Sequence, residues 1–363
     1  MPSPTAIGSA GPAQSADPAS LSPQPGTPTP PASTAAPATA TAPAATSTTP
    51  APLAWSEVAI VGDGPRPRED HTLTVVGDRA LLFGGRDGSR VFDDLWSLDL
   101  ATRRWEQLDP EGERPAARFG HEAVAVAGLG LVVYAGQAGP TTFFGDLWAF
   151  NPATGRWTEL PATGARPVPR YGSCMAVASD GRLVISHGFT EDGTRFSDTR
   201  AYDITTGRWA DLTPGDPLPV ARCLHGCWFV PDGRLVLYAG QTTGVAALGD
   251  LWALAGIGTA GASWSRVDDE RPADRNRYAR VQVDDGSVLV FGGQGIDRGV
   301  LDDLLVIDPG SLAARELDVD GIRPAGRFGA ELVHDPAGRR LLLFGGTDGR
   351  DAFADLWSIE WPG

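Results

Sequence analysis

The chain has 363 residues, 42% hydrophobic and 21% charged, with a formal net charge of −15 at pH 7. Such acidity argues against nucleic acid and anionic membrane surfaces as partners, because both reward clustered positive charge. Cys174, Cys223 and Cys227 make no disulfide framework, and their odd number leaves at least one free thiol or an intermolecular bond. On one extended strand the Cα atoms of Cys223 and Cys227 would lie roughly 13 Å apart, beyond disulfide reach.

Residues 1–52 are almost wholly Pro, Ala, Ser and Thr, with no aromatic residue and Asp17 as the one charged side chain. A stretch of this kind buries too little apolar surface to offset its ordering entropy and reads as a disordered, partly polyproline-like linker. It has neither a basic n-region nor a continuous apolar segment, so it reads as neither a secretory signal nor a membrane span. Ser/Thr/Pro stalks often tether extracytoplasmic domains, and localisation leans that way.

From residue 53 to 363 the pattern is periodic. Gly85, Gly136, Gly188, Gly240, Gly293 and Gly346 recur at intervals of 51, 52, 52, 53 and 53 residues. Each closes a short apolar run, and about ten residues later an aspartate opens a second one: Asp94, Asp146, Asp198, Asp250, Asp303 and Asp355. Repeats of about 50 residues built from apolar runs and Gly/Asp turns are the signature of a β-propeller, whose blades cannot bury their faces alone. In each repeat an Arg-led inner strand, a turn such as Asp180-Gly181 or Asp232-Gly233, and an apolar strand precede the Asp-led strand. Trp105, Trp157, Trp209 and Trp264 then begin the outer strands, and Ala314 replaces Trp in the fifth repeat, whose outer edge should pack less well.

Trp55 lies 13 residues before Arg68, the same spacing as Trp105 to Arg118, Trp157 to Arg170 and Trp209 to Arg222. Leu53 to Val58 is therefore expected to be an outer strand without a blade of its own. It should complete the sixth blade, opened by Asp355, and close the ring.

The doublets Gly84-Gly85, Gly292-Gly293 and Gly345-Gly346, relaxed to Ala135-Gly136, His187-Gly188 and Ala239-Gly240, resemble the diglycine of the kelch repeat. With the Asp-Leu-Trp segments and blade-end tryptophans, the resemblance covers residues 53–363. It implies an all-β, six-bladed propeller of kelch type, and in members of that family equivalent arginines line a ligand mouth.

Those arginines are Arg68, Arg118, Arg170, Arg222, Arg275 and Arg327, each 16 to 18 residues before its doublet. At the start of every innermost strand they could form a positive ring at one channel mouth, suited to carboxylate, phosphate or sulfate. Alternatively each pairs with the aspartate of its own repeat, since both occur once per blade. A mixture is expected, with two or three arginines free. Three residues further on stand His71, His121, Ser173, His225, Tyr278 and Ala330, where variation on a repeated scaffold places specificity. Gln137, Gln241 and Gln294 share the first post-glycine register, and Phe143 and Phe144 are candidate contact aromatics. No metal site is expected, for CxxC, HExxH and EF-hand spacings are absent. Glu270, Asp274 and Tyr278 match the spacing of the iron ligands of specifier-like kelch proteins with Tyr in place of His.

The expectation is a monomeric kelch module without cofactor or enzymatic activity, binding a protein or a small anionic ligand at its Arg-bearing mouth. The alternative is a kelch-type enzyme, a metal-assisted lyase or sugar mutarotase, using the same mouth.

Overall fold

A computed structural model describes residues 52–267 and 273–361. All of the expected linker except Pro52 lies outside the described residues, as does Glu270. The described chain contains no α-helix and forms six sheets, one per repeat, each with four antiparallel strands; two of them carry a short parallel fifth strand, and two further two-stranded ribbons lie in the loops. Blade one runs outward through Thr72–Val76, Arg79–Phe83, Leu95–Asp99 and Trp105–Leu108. In the sixth blade Phe328–Asp335, Arg340–Thr347 and Leu356–Glu360 are completed by Leu53–Val58, with Trp55 opposite Ile359 and Val58 opposite Leu356. The propeller and its closing strand are as the spacing predicts.

The second strand of each blade is buried on both faces, which explains its unbroken apolar sequence. In Arg79–Phe83, Ala80 and Leu82 pack with Leu342 and Phe344 of blade six, whereas Leu81 and Phe83 pack with Leu131 and Val133 of blade two. The core is thus a series of interblade layers. Trp55, Trp105, Trp157, Trp209 and Trp264 lie buried in these layers. In blade five the outer strand shrinks to Ala314–Glu316, and a cavity of about 270 Å³ opens beside it, between Trp55, Leu304 and Leu317.

The doublets let blades approach one another. Gly84 has φ +64° and a Cβ there would lie 2.6 Å from the carbonyl oxygen of Arg118 in the next blade. Gly85, at φ +94°, would place a Cβ 2.7 Å from that of His71.

One expectation is corrected here. Cys174 and Cys227 form a disulfide joining the innermost strands of blades three and four, while Cys223 remains a buried free thiol. Their separation of 53 residues is one repeat length, so the fold brings near-equivalent positions of adjacent blades together.

Candidate functional site

The six arginines do not face the channel. Each has a side chain at most 1% exposed and reaches into its own blade, where a guanidinium nitrogen lies 2.6 to 2.8 Å from Asp94, Asp146, Asp198, Asp250, Asp303 or Asp355. Arg68 shows the common pattern: Nη1 and Nη2 donate to the two Asp94 oxygens, Nη1 also to the Gly84 carbonyl, and Nε to the Arg66 carbonyl. Four rings cover the guanidinium faces, Phe92 on Arg68, Phe144 on Arg118, Phe196 on Arg170 and Phe353 on Arg327, at 4.1 to 4.3 Å. The arginine carbonyls in turn accept from the second doublet glycine of the preceding blade, from Gly85 N to Arg118 O at 2.9 Å round to Gly346 N to Arg68 O at 2.8 Å. The expected mixture of free and paired arginines is therefore replaced by a complete framework, because the doublet carbonyl and the aspartate consume the fork's donors. Burial alone would raise the carboxyls of Asp94, Asp146, Asp198, Asp250 and Asp355, but hydrogen bonds and charge from their arginines hold them below the usual range.

Two residues after each arginine the structure shows a feature that the sequence reading missed. Asp70, Gly120, Gly172, Leu224, Arg277 and Gly329 all have φ between +53° and +63°. Each backbone N–H donates to the carbonyl of its counterpart in the preceding blade, at 2.7 to 3.2 Å, and Asp70 N to Gly329 O closes the circle. This collar narrows the channel, and a salt-bridge plug lies across it. Arg277 contacts Asp70 with Nε at 2.9 Å and Nη2 at 2.7 Å, and its Nη2 is 2.6 Å from Glu69. Arg86 Nε lies 2.9 Å from Glu69, and the Tyr171 hydroxyl donates to Asp70 at 3.3 Å. Burial would lower the Arg277 pKa, but Asp70, Tyr171 and Glu69 together raise it above the ordinary arginine range.

Outside the collar lies the mouth. Glu69, Phe119, Tyr171, Cys223, Asn276 and Phe328 pair through the backbone with Arg86, Gln137, Phe189, Gln241, Gln294 and Thr347, the first residues after the glycines. Gln137 and Gln241 are half-buried and Gln294 is exposed, so three amides stand at this rim. Blades two and three carry an aromatic run: Phe119 to Tyr171 at 5.7 Å, Tyr171 to Phe189 at 5.4 Å and Phe189 to Phe143 at 5.6 Å. Phe143 and Phe189 are its half-buried outer end, whereas Phe144 is taken into the framework on Arg118. The loops of this face also leave Val168, Val220 and Ile296 about half exposed, at 49%, 48% and 54%.

His71, His121 and His225 sit just inside the collar, all buried. Each leans on the doublet of the preceding blade. The His121 ring would lie 2.9 Å from a Cβ on Gly84, His71 would lie 2.8 Å from one on Gly345, and His225 meets His187 edge-on at 5.3 Å. Thr72 Oγ1 reaches His121 Nε2 at 2.9 Å, while both ring nitrogens of His71 and of His225 have no hydrogen-bond partner among the described residues. Burial, helped by Arg68, pushes the His71 pKa down to about 3. The Tyr278 hydroxyl donates to Tyr238 O at 2.8 Å and accepts from Gly226 N at 2.7 Å, stapling blade five to blade four. Among the described residues no group of three or more His, Cys, Asp or Glu is placed to hold a metal ion. No helix among them is long and apolar enough to cross a membrane.

The family model for the kelch-repeat domain of the KLHDC2/KLHL20/DRC7 group matches residues 45–188 and 155–281. An F-box/kelch-repeat protein of Arabidopsis thaliana is 26% identical over 321 residues, which is 78% of this chain and 66% of that protein. Acyl-CoA-binding domain-containing protein 5 of the same plant is 30% identical over 44% of this chain and 24% of its own length. The Drosophila melanogaster homolog of leucine-zipper-like transcriptional regulator 1 is 28% identical over 54% of this chain and 21% of its own length. The chain therefore spans just under two thirds of the first of these relatives and a quarter or less of the other two.

Proposed function

The chain belongs to the kelch-repeat family, and on that premise we propose that its propeller is a protein-interaction module that docks a partner segment across the mouth. In this reading residues 53–363 act as a monomeric binding domain and residues 1–52 as its tether. The observation that carries it is the aromatic run of Phe119, Tyr171, Phe189 and Phe143, whose outer end stands on a face where neighbouring loops expose apolar side chains. Aromatic anchors surrounded by adaptable polar groups are the usual make-up of an interaction hot spot. An aliphatic or aromatic side chain of the partner would sit on Phe143 and Phe189, and Gln137, Gln241 and Gln294 would meet its backbone. A small anion is the weaker candidate, because Arg86 and Arg277 at the collar already face Glu69 and Asp70. One relative's name joins kelch repeats to an F-box and another's names an acyl-CoA-binding domain, which supports a propeller that supplies docking while other segments supply chemistry.

A photo-crosslinking amino acid at position 143, compared with one at position 232 in a hairpin turn at the other end of blade four, tests this in native cells. Adducts from 143 and none from 232 are expected. Adducts from 232 alone, or from neither, would overturn the reading.

A further inference from the structure

Inward of the collar and its plug, the channel widens toward its other end into a chamber of about 560 Å³, bounded by the innermost strands of all six blades. Its walls are about half apolar, with Val124, Val177, Phe229 and Val281 among the lining residues. Glu122, Arg280 and Glu331 form its floor and border both this chamber and a smaller cavity of about 70 Å³ beneath the collar. The smaller cavity is lined by His71, His121 and His225.

The floor holds one ion pair and one carboxyl outside it. Arg280, from blade five, spans the channel to Glu122 of blade two at 3.1 Å. Glu331, from blade six, has no hydrogen-bond or ion-pair partner among the described residues. Asp284 and His334, 3.7 Å apart, are the other titratable groups on the wall. Of the three carboxyls of the chamber, Glu122 is taken by Arg280, Asp284 lies beside His334, and Glu331 is the one left to a ligand. Burial pushes the Glu331 carboxyl up to about 8; Arg280 draws it back, and the charges of Glu122 and Asp70 add to the rise. A concave chamber of this volume, half apolar and with a few convergent polar groups, has the form of a small-molecule site.

We propose that this chamber binds a small organic cation, a protonated amine on an apolar body, with the ammonium against Glu331 and the body against Val177, Phe229 and Val281. An anion would meet the excess of carboxylates, with Arg280 already engaged by Glu122. A neutral ligand would offer Glu331 a hydrogen bond but no charge. The site stands at the opposite end of the channel from the proposed docking mouth and does not depend on it.

Calorimetric titration of the full chain at pH 7 with benzylammonium, benzyl alcohol and benzoate tests the assignment. Benzylammonium should saturate the chain at least tenfold more tightly than benzyl alcohol, and benzoate should give no heat. Pairing with the ammonium makes Glu331 give up its proton to the buffer, so close to one proton should be released per ligand, read from the dependence of the heat on buffer ionisation. Glu331→Gln should abolish that release and weaken benzylammonium at least tenfold. Val177→Phe, which fills the chamber from its wall, should also weaken it. Phe143→Ala with Phe189→Ala at the mouth should leave it unchanged. Equal affinity for amine and alcohol, no binding at millimolar concentration, undiminished binding by Glu331→Gln, or loss in the Phe143/Phe189 variant would each overturn the proposal.

Discussion

At the scale of the residue, an arginine that recurs in every blade does structural work, while the differences between blades sit one and two positions after it. Arg118 engages Asp146 through both carboxylate oxygens, and removing it strands a largely buried carboxylate. Breaking one side of such a pair costs about 3–5 kcal/mol. Arg118→Ala should lower the unfolding free energy by about that amount, measured by denaturant titration; a change below about 1 kcal/mol would mean that Asp146 needs no partner. The pH response follows from the same burial. His71, His121, His187 and His225 titrate well below the ordinary imidazole value, so the folded state binds fewer protons than the unfolded chain. Their contribution is complete above about pH 6.5 and is lost as pH falls below it. The depressed aspartates of the framework act lower, their contribution complete above about pH 4 and lost as pH falls through their folded values. Glu331 and Glu122, whose carboxyls burial raises, act the other way and offset part of this loss near neutrality; the melting midpoint should therefore fall from about pH 6 to pH 4, and His71→Gln should flatten that slope. An unchanged slope would place the acid sensitivity elsewhere.

At the scale of the element, the strand Leu53–Val58 closes the ring on blade six, and the disulfide ties blade three to blade four. Deleting residues 53–61 exposes the edge of Leu356–Glu360 and removes Trp55 from a core layer shared with Phe291 and Leu343. That deletion should cost several kcal/mol or cause aggregation, whereas deleting residues 1–50 should not; equal melting of the two truncations would contradict the closure. For the disulfide, the closed loop of about 53 residues corresponds to roughly 4 kcal/mol in the chain-entropy account. Alkylation of unfolded, unreduced protein should label Cys223 alone, and after reduction all three cysteines; three labels before reduction would refute the bridge. The elements were legible in the sequence because the 51 to 53-residue period, the doublets and the Trp–Arg spacing are all set by one repeated blade. The bridge was not, because Cys174 and Cys227 occupy near-equivalent positions of adjacent blades, a neighbourhood that exists only in the closed ring. The collar was hidden for a different reason. Three of its six left-handed positions are glycines, but Asp70, Leu224 and Arg277 take the same conformation without announcing it.

At the scale of the molecule, the propeller separates what repeats from what differs. Arginine, aspartate and doublet recur in each blade and join it to the next; the mouth carries aromatics on blades two and three and amides on blades two, four and five. The pairing of arginine with aspartate was half legible, since both recur once per blade, yet only the buried geometry shows that all six of these guanidinium groups are taken up by the framework. The most direct measurement sets two variants side by side, Arg118→Ala and Phe143→Ala with Phe189→Ala, each read for denaturant midpoint and for crosslinked partner recovered at position 137. Opposite phenotypes are predicted: Arg118→Ala loses stability but, below its transition, keeps the partner, and the aromatic variant keeps stability while recovery falls at least tenfold. A stable Arg118→Ala protein that has lost the partner, beside an aromatic variant that retains it, would return recognition to the arginine ring and contradict the account.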